Sequence, residues 1–202
     1  VGREWAGSGA IRLLDAERCE VPDGDVGELF SRTSYVFDGY WRNPDKTAEA
    51  MDGLWCSVGD MARRDAEGYI WLVDRKSNMI ISGGENVYPS EVEGVLGQHP
   101  AVRDVAVVGV PHDKWGETPL AVVVLHPGQT ADEALLRDWC RQRLAGFKVP
   151  SRVVTVEEGD MPRTATGKIL HRMLRQRYEA LASGSTPAHS APPASPETTT
   201  PG

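Results

Sequence analysis

The sequence has no long hydrophobic run and no excess of basic charge. Its longest apolar stretches, such as VAVVGV at 105–110, have the length of a β-strand. A membrane-spanning helix needs roughly 20 apolar residues, so we expect no transmembrane segment. The formal net charge of −7 argues against a dedicated nucleic-acid-binding protein, which would carry a basic surface. We therefore expect no nucleic-acid partner.

Paired cysteines, a metal-binding pattern and a signal peptide are also missing from the sequence. Cys19, Cys56 and Cys140 are far apart, which is typical of reduced thiols in a cytoplasmic protein. The five histidines show no spacing that suits a metal site. The first residues, VGREWAGSGA, have neither a signal-peptide layout nor an initiator Met, which indicates a piece of a longer chain.

The residues that are present suit a folded domain followed by a tail. The hydrophobic fraction of 40% and the charged fraction of 25% are ordinary for a globular protein with a real core. The last stretch, 182–202, is rich in Pro, Ser and Thr and has no large apolar residue. It cannot bury enough surface to offset its chain entropy, so the sequence predicts a disordered tail.

Strands and turns dominate the first 75 residues. Short strands are predicted at 11–15 and 27–32, and a short helix at 43–51 is predicted to be capped by Asn43 or Asp45. In the strand at 68–74 both alternating sets of side chains are apolar, which predicts that both of its faces are covered.

From residue 78 onward the pattern predicts strands that alternate with helices. A helix at 90–100 begins with Ser90 and Glu93 at the spacing of a capping box. A second helix at 131–147 is predicted to end at Gly146 and to turn an apolar face inward, namely Leu135, Leu136, Trp139, Cys140 and Leu144. A third is expected at 167–181. The whole pattern predicts an α+β fold that changes character at 74–78.

Single motifs in the chain are weak indicators. The glycine pair in SGGEN (82–86) is compatible with a plain turn. Lys168 follows TATG at the start of a predicted helix, where unpaired N–H groups favour anions, but the phosphate loop G-x-x-x-x-G-K-[ST] is not present. The order of the motifs is more specific. The series runs GELFSRTSYVFDGYW, LWCSVGD, DRKSNMIISGGENVYPSEVE, VPHDKWGE and PRTATGK.

This series resembles the C-terminal part of the AMP-forming acyl-CoA synthetases. They belong to the adenylate-forming superfamily, which also contains luciferases and peptide-synthetase adenylation domains. The resemblance extends over about residues 10–181. It implies that 1–75 is a small β-rich remnant of a large N-terminal AMP-binding domain, 76–181 a mobile C-terminal lid domain of mixed strands and helices, and 182–202 a tail.

The resemblance also implies a two-step reaction. A carboxylic acid, fatty or aryl, reacts with ATP to give an acyl-adenylate and pyrophosphate, and coenzyme A then displaces AMP to form the thioester. Mg²⁺ would accompany ATP, held mainly by its phosphates. The missing N-terminal domain would be the partner of this chain, and without it we expect the chain to be inactive.

Particular residues match the family's functional positions. By resemblance, Lys168 is the catalytic lysine of adenylation, where a cation between two reacting anions stabilises the transition state. Asp60 and Arg75 correspond to contacts with the nucleotide ribose, whose vicinal diol suits a carboxylate with two acceptor oxygens. Ser77 corresponds to the hinge, where relatives usually have Asp or Lys. The resemblance assigns the CoA step to Gly83, Gly84 and Trp115, with Phe147 and Lys148 near the CoA phosphates.

Two alternative functions remain open at this point. One is an adenylation module of a peptide synthetase, which passes its acyl group to a carrier protein instead of CoA. The other is a non-catalytic relic that binds a nucleotide or CoA without turnover. The intact Asp60, Arg75, Gly83, Gly84 and Lys168 argue against long decay.

Overall fold

The computed structural model describes residues 2–4, 9–35 and 37–182, with side chains as far as residue 179. It contains two β-sheets, one formed before residue 76 and one after residue 79. The tail that the sequence predicts to be disordered lies outside the described residues from 183 onward. Among the described helices, none has the length and apolar character needed to cross a bilayer.

The first sheet is antiparallel and contains six strands. These are β1 (Gly2–Arg3), β2 (Ile11–Leu14), β3 (Val26–Ser31), β4 (Met51–Asp52), β5 (Trp55–Arg64) and β6 (Tyr69–Arg75). Their order is β1-β6-β5-β3-β2, and β4 pairs with the start of β5. Helix α1 (Pro44–Ala50) precedes β4, and the side chain of Asn43 caps it by accepting the amide of Lys46 at 3.0 Å. Asn43, not Asp45, is therefore the N-cap.

Strand β6 differs from its prediction. It forms where the sequence places it, but Ile70 is the buried member of the strand in the part of the chain that the structure describes. Trp71 and Leu72 are 40% and 59% exposed. The prediction that both faces are covered is therefore wrong for this chain, because the apolar side chains beside Ile70 lie on its surface.

The second sheet begins after a short 3₁₀ turn, Lys76–Asn78. Its strands are β7 (Ile80–Ser82), β8 (Glu85–Val87), β9 (Val102–His112), β10 (Gly116–Leu125) and β11 (Arg152–Thr155). Strand β10 is central: it pairs antiparallel with β9 along its whole length, and parallel with β11. The hairpin of β7 and β8 joins β10 at Ser82, opposite Gly116.

Helices cover the second sheet on both faces. Helices α2 (Pro89–Leu96) and α3 (Glu133–Arg141) pack against one face, where Val107, Ala121 and Val123 point. Helix α4 (His171–Ala182) packs against the other face through Leu174 and Tyr178. Because successive strand residues point to opposite faces, the apolar runs of β9 and β10 supply both cores. The α+β fold class predicted from the sequence is confirmed.

The predicted capping box of α2 is not formed. The N-cap is Tyr88, whose side chain makes no capping hydrogen bond. Ser90 lies in the first turn and bonds instead to β6: its amide donates to Asp74 Oδ2 at 2.9 Å and its hydroxyl donates to the carbonyl of Val73 at 2.7 Å. A tertiary contact has replaced the local one, because the end of β6 lies beside the start of this helix.

The other two helices are shorter than predicted. Helix α3 starts after its cap Asp132 and ends at Arg141, and Gly146 opens a separate 3₁₀ turn instead of ending the helix. Leu136 and Cys140 are buried as predicted, but Leu135 is 51% exposed, so its inward assignment is wrong. Helix α4 starts at His171, because residues 163–169 are held in a hairpin-like turn with Arg163 opposite Ile169.

Candidate functional site

Asp60 and Arg75 face each other across the first sheet. They are partners in the register of β5 and β6, and Arg75 Nε lies 3.0 Å from Asp60 Oδ1. The guanidinium also donates to the carbonyl of Val58 at 3.4 Å. The Asp60 side chain is 20% exposed and that of Arg75 56%. Arg75 is thus bonded both to Asp60 and to the backbone of β5, while more than half of its side chain remains open to solvent.

A β-bulge in β5 directs Asp60. Glu28 on β3 pairs with Met61 and Phe30 pairs with Ser57, so the single residue Leu29 lies opposite three residues of β5. Gly59 lies within the bulge with a φ of +74°, a conformation that favours glycine. Bulges frequently reorient side chains next to functional sites.

An open cavity of about 460 Å³ lies beside this bulge. Most of the residues that line it have polar or charged side chains, and they include the start of the connection between the two sheets. The residues that line it are Glu28, Tyr40, Lys46, Glu49, Ala50, Ser57, Val58, Gly59, Arg75, Lys76 and Ser77. The cavity therefore contains the arginine predicted to contact ribose and the serine predicted to be the hinge.

The connection between the two sheets is held by Asp74. Its carboxylate accepts the side-chain amide of Asn78 at 3.1 Å as well as the backbone amide of Ser90. Ser77, the predicted hinge residue, lies inside this short turn and is exposed. These hydrogen bonds connect the turn and the start of α2 to the end of β6.

Gly83 and Trp115 form a second candidate site. The Gly83 amide donates to the Trp115 carbonyl at 2.8 Å, and a Cβ added at Gly83 would lie 2.7 Å from Cε3 of the indole. Both residues line an open cavity of about 400 Å³, together with Phe147. Gly84 has a φ of +87° and open space around it, so glycine is favoured here by the conformation of the turn. Lys148 forms an ion pair with Glu91 at 2.7 Å.

Lys168 lies apart from these two cavities, neither of which it lines. It follows Gly167, whose φ is +85°, and its amide donates to Thr164 Oγ1 at 3.1 Å. Arg163 holds the turn by donating to the Gly167 carbonyl at 2.8 Å and by an ion pair with Asp104. Within the described residues the ammonium of Lys168 has no partner, and its side chain extends into solvent from a well-anchored turn.

Sequence reasoning missed a contact between α2 and α4. His171 Nε2 lies 2.8 Å from Glu93 Oε1, and the same oxygen accepts the amide of Val107. The hydrogen bond to Glu93 raises the pKa of the His171 imidazole above its ordinary value, and burial opposes that rise. The spacing of Ser90 and Glu93 predicted a local role for Glu93 in a capping box, so no local signal could have identified its distant partner. In the part of the chain described here, no group of His, Cys, Asp or Glu side chains is suited to hold a metal ion.

Comparison with known proteins finds a family match for the part of the chain that contains β9, β10, β11 and α3. Residues 91–168 match the AMP-binding enzyme C-terminal domain. This part of the chain is such a domain. The matched region contains Trp115 and ends at Lys168, so the AMP-binding C-terminal domain carries two of the residues predicted from the motif series. The resemblance found in the sequence is confirmed.

Similarity to CoA ligases extends beyond that domain. The chain is 44% identical over 176 residues to a 2-succinylbenzoate–CoA ligase of Geobacillus kaustophilus, covering 84% of this chain and 36% of the ligase. It is 44% identical over 168 residues to a feruloyl-CoA synthase of Amycolatopsis, covering 83% and 34%. The chain thus spans about a third of the length of the curated relatives it matches.

Solved structures give the same fold and indicate which arrangement is present. ATP-bound MatB from Rhodopseudomonas palustris matches with a TM-score of 0.78 and 37% identity, covering 86% of this chain and 34% of MatB. The apo structure of MatB matches over 86% of this chain and 35% of its own, at the same 37% identity, with a TM-score of 0.59. The arrangement of the present chain is thus closer to that of the ATP-bound enzyme.

Proposed function

We propose that this chain is the C-terminal part of an AMP-forming acyl-CoA synthetase. The observation that carries the proposal is the 44% identity to a 2-succinylbenzoate–CoA ligase over 84% of the chain. The parent enzyme would convert a carboxylic acid, ATP and CoA into acyl-CoA, AMP and pyrophosphate. Fatty and aryl acids are the proposed substrate class, and the reaction is proposed to take place in the cytoplasm, where cysteines stay reduced.

The proposed division of the chain follows its two sheets. Residues 1–75 would be the last subdomain of a large AMP-binding domain, 76–181 the mobile C-terminal domain and 182–202 a tail. The turn Lys76–Asn78, with Ser77 as hinge, would absorb the change in backbone dihedral angles when the C-terminal domain rotates. A small polar residue is compatible with that task.

Asp60 and Arg75 are proposed to hold the ribose of ATP and AMP. The carboxylate is kept in place by the guanidinium 3.0 Å away, and one of its oxygens remains available to accept the hydroxyls of a diol. Mg²⁺ would enter with ATP and be held by the phosphates, since the described residues offer no cluster of ligands for it. It would neutralise phosphate charge.

Lys168 is proposed to act in the adenylation step. Its ammonium would lie between the acid's carboxylate and the α-phosphate and would stabilise the charge of the transition state. A cation without an internal partner is suited to this role, because no ion pair has to be broken when the substrate binds. The anchored turn Thr164–Lys168 limits how far its backbone can move.

The cavity around Gly83 and Trp115 is proposed to receive coenzyme A in the second step. Gly83 lets the indole lie against the backbone, and Trp115, which is 45% exposed as a residue, offers an aromatic ring to the ligand. Gly84 and Phe147 are proposed to extend the same surface. Lys148 would have to exchange Glu91 for a CoA phosphate.

A chimeric enzyme tests the proposal. The chain replaces the matching C-terminal segment of the Geobacillus kaustophilus ligase, and the chimera is assayed with 2-succinylbenzoate for ATP–pyrophosphate exchange and for CoA thioester formation. We expect both activities. Lys168→Ala should reduce exchange by about a hundredfold or more, in line with the loss of roughly 3 kcal/mol of transition-state stabilisation.

Controls separate the two alternatives. The ligase truncated before the replaced segment reports any exchange that does not need this chain. A folded chimera that binds CoA but catalyses neither step would favour the non-catalytic relic. Exchange followed by transfer to a carrier protein, and not to CoA, would favour a peptide-synthetase module. The 202-residue chain alone is expected to be inactive, and CoA-dependent turnover by it would contradict the proposal.

A further inference from the structure

Glu28 is the one carboxylate side chain among the buried polar residues of the described chain, with 7% of its surface exposed. It lies on β3, and both of its carboxylate oxygens are used. Oε1 accepts the hydroxyl of Ser57 at 2.5 Å, and Oε2 lies 2.8 Å from Nζ of Lys76. One buried side chain therefore connects β3 with β5 and with the turn after β6.

A gain in stability does not explain why the Glu28 carboxylate is buried. The desolvation cost of a buried ion pair offsets much of its attraction, and apolar residues of similar size often stabilise a protein as well or better. Lys76 is half-exposed, which further weakens the pair through solvent screening. A role in fixing the position of its neighbours therefore explains Glu28 better.

The first neighbour is the bulge that carries Asp60. Ser57 donates its hydroxyl to Glu28 and accepts the amide of Gly59 at 3.1 Å. Gly59 directly precedes Asp60. The chain of hydrogen bonds from Glu28 through Ser57 thus holds the bulge in the conformation that directs Asp60 toward Arg75.

The second neighbour is the turn between the sheets. Lys76 follows Arg75 directly and precedes Ser77, so its ion pair with Glu28 connects the start of this turn to β3. Glu28, Ser57, Lys76 and Ser77 line the same cavity of about 460 Å³. One contact of Glu28 thus lies three residues before Asp60 in the chain, and the other lies directly after Arg75.

We propose that Glu28 is a positioning residue that sets the geometry of the Asp60–Arg75 pair through Ser57 and Lys76. It acts through these neighbours and does not itself touch the ligand. The proposal rests on the proposed function, in which the pair holds the ribose of ATP. It predicts an effect of Glu28 on the use of ATP that is separate from any effect on stability or on the acid substrate.

Three variants separate the contacts. Glu28→Gln removes the charge and the ion pair while keeping the size of the side chain. Ser57→Ala breaks the link to Gly59, and Lys76→Met breaks the link to the turn. The matched control is Glu158→Gln, which removes a carboxylate elsewhere in the chain. Glu158 lies in the turn after β11 and accepts a hydrogen bond of 2.7 Å from Arg103 at the start of β9.

The first readout uses the 202-residue chain and needs no activity. Amide hydrogen exchange at Gly59 should become roughly two- to tenfold faster in Ser57→Ala and in Glu28→Gln, because a hydrogen bond of ordinary strength is lost or weakened. Exchange at Gly59 should stay unchanged in Glu158→Gln. Unchanged exchange in the first two variants would overturn the link between Glu28 and the bulge.

The second readout is the KM for ATP in the chimera described above. Glu28→Gln should raise it by about tenfold or more, while the KM for 2-succinylbenzoate stays within about twofold, because a displaced positioning group affects the ligand that it orients. Equal changes in the KM for ATP and the KM for 2-succinylbenzoate would mean a structural role and would overturn the proposal. An equal rise in the KM for ATP in Glu158→Gln would do the same. Absence of ATP–pyrophosphate exchange in the wild-type chimera would instead refute the proposed function, and with it the role of Glu28 in ATP binding. The hydrogen-exchange readout would still decide whether Glu28 is linked to the bulge.

Discussion

The backbone amide of Gly83 donates to the carbonyl of Trp115, and the indole ring of Trp115 occupies the space where a side chain of residue 83 would be. The nearest ring atom would be 2.7 Å from a Cβ, well inside van der Waals contact. Glycine is therefore required at this position by the tryptophan itself, before any ligand is considered. The family resemblance assigns this glycine to the CoA step, and the structure adds an internal reason for it.

Gly83→Ala should destabilise the chain by about 1–3 kcal/mol more than Gly84→Ala, because overpacking adds to the strain of a positive φ. Gly84 is the matched control, since its φ is also positive but the space around it is open. Urea unfolding of the 202-residue chain measures both. In a double-mutant cycle with Trp115→Ala, the additional cost at Gly83 should disappear. Equal destabilisation by the two glycine variants would contradict the contact.

The His171–Glu93 contact should make stability depend on pH. The pKa of the His171 imidazole is raised in the folded protein. The contact therefore contributes its full stabilisation below the unfolded pKa of about 6.5 and loses it as the pH rises through the folded pKa. The difference in free energy of unfolding between the wild type and His171→Gln should therefore be largest at low pH and shrink as the pH rises. Asp74 contributes in the same direction.

Denaturant titrations between about pH 5.5 and 8.5 measure this dependence. His126→Gln is the control, because the side chain of His126 is exposed at the end of β10. That variant should follow the wild-type pH dependence. A constant difference between the wild type and His171→Gln at every pH would refute the assignment of the dependence to His171.

The three cysteines should differ widely in reactivity. Burial raises the pKa of the Cys140 thiol to about 11, and burial also raises that of Cys56, whereas Cys19 is exposed. The thiolate is the reactive form, so iodoacetamide at pH 8 should modify Cys19 in the folded chain and reach the other two only in denaturant. Mass spectrometry of the labelled peptides identifies the sites. Modification of Cys140 at the rate of Cys19 in the folded chain would show that α3 is not packed as described.

Leu136 and Leu135 test which face of α3 is buried. Leu136→Ala should cost about 2–5 kcal/mol, since it leaves a cavity in the core. Leu135→Ala should change stability by no more than about 0.5 kcal/mol, because its side chain is half-exposed. The two variants remove the same atoms from adjacent positions, and unfolding experiments compare them directly. A similar cost for both would mean that the helix is rotated relative to the sheet.

Local patterns determined much of this protein. Asn43 caps α1 because its side chain reaches an amide three residues away, and the alternation of β9 and β10 follows from the two-residue period of a strand. The order of the motifs identified the family, because a series of five motifs in fixed order is far more specific than any one of them. Each of these properties depends on residues that are near in the sequence or on their order.

Tertiary structure alone decided the contacts between distant residues. Ser90 and Glu93 have the spacing of a capping box, yet they bond to β6, β9 and α4, because packing brings those partners closer than the helix terminus. Glu28 meets Lys76 across 48 residues, and only the register of three neighbouring strands places them together. The sequence predicts the residues of the candidate site, whereas strand register and helix packing decide which of them are in contact.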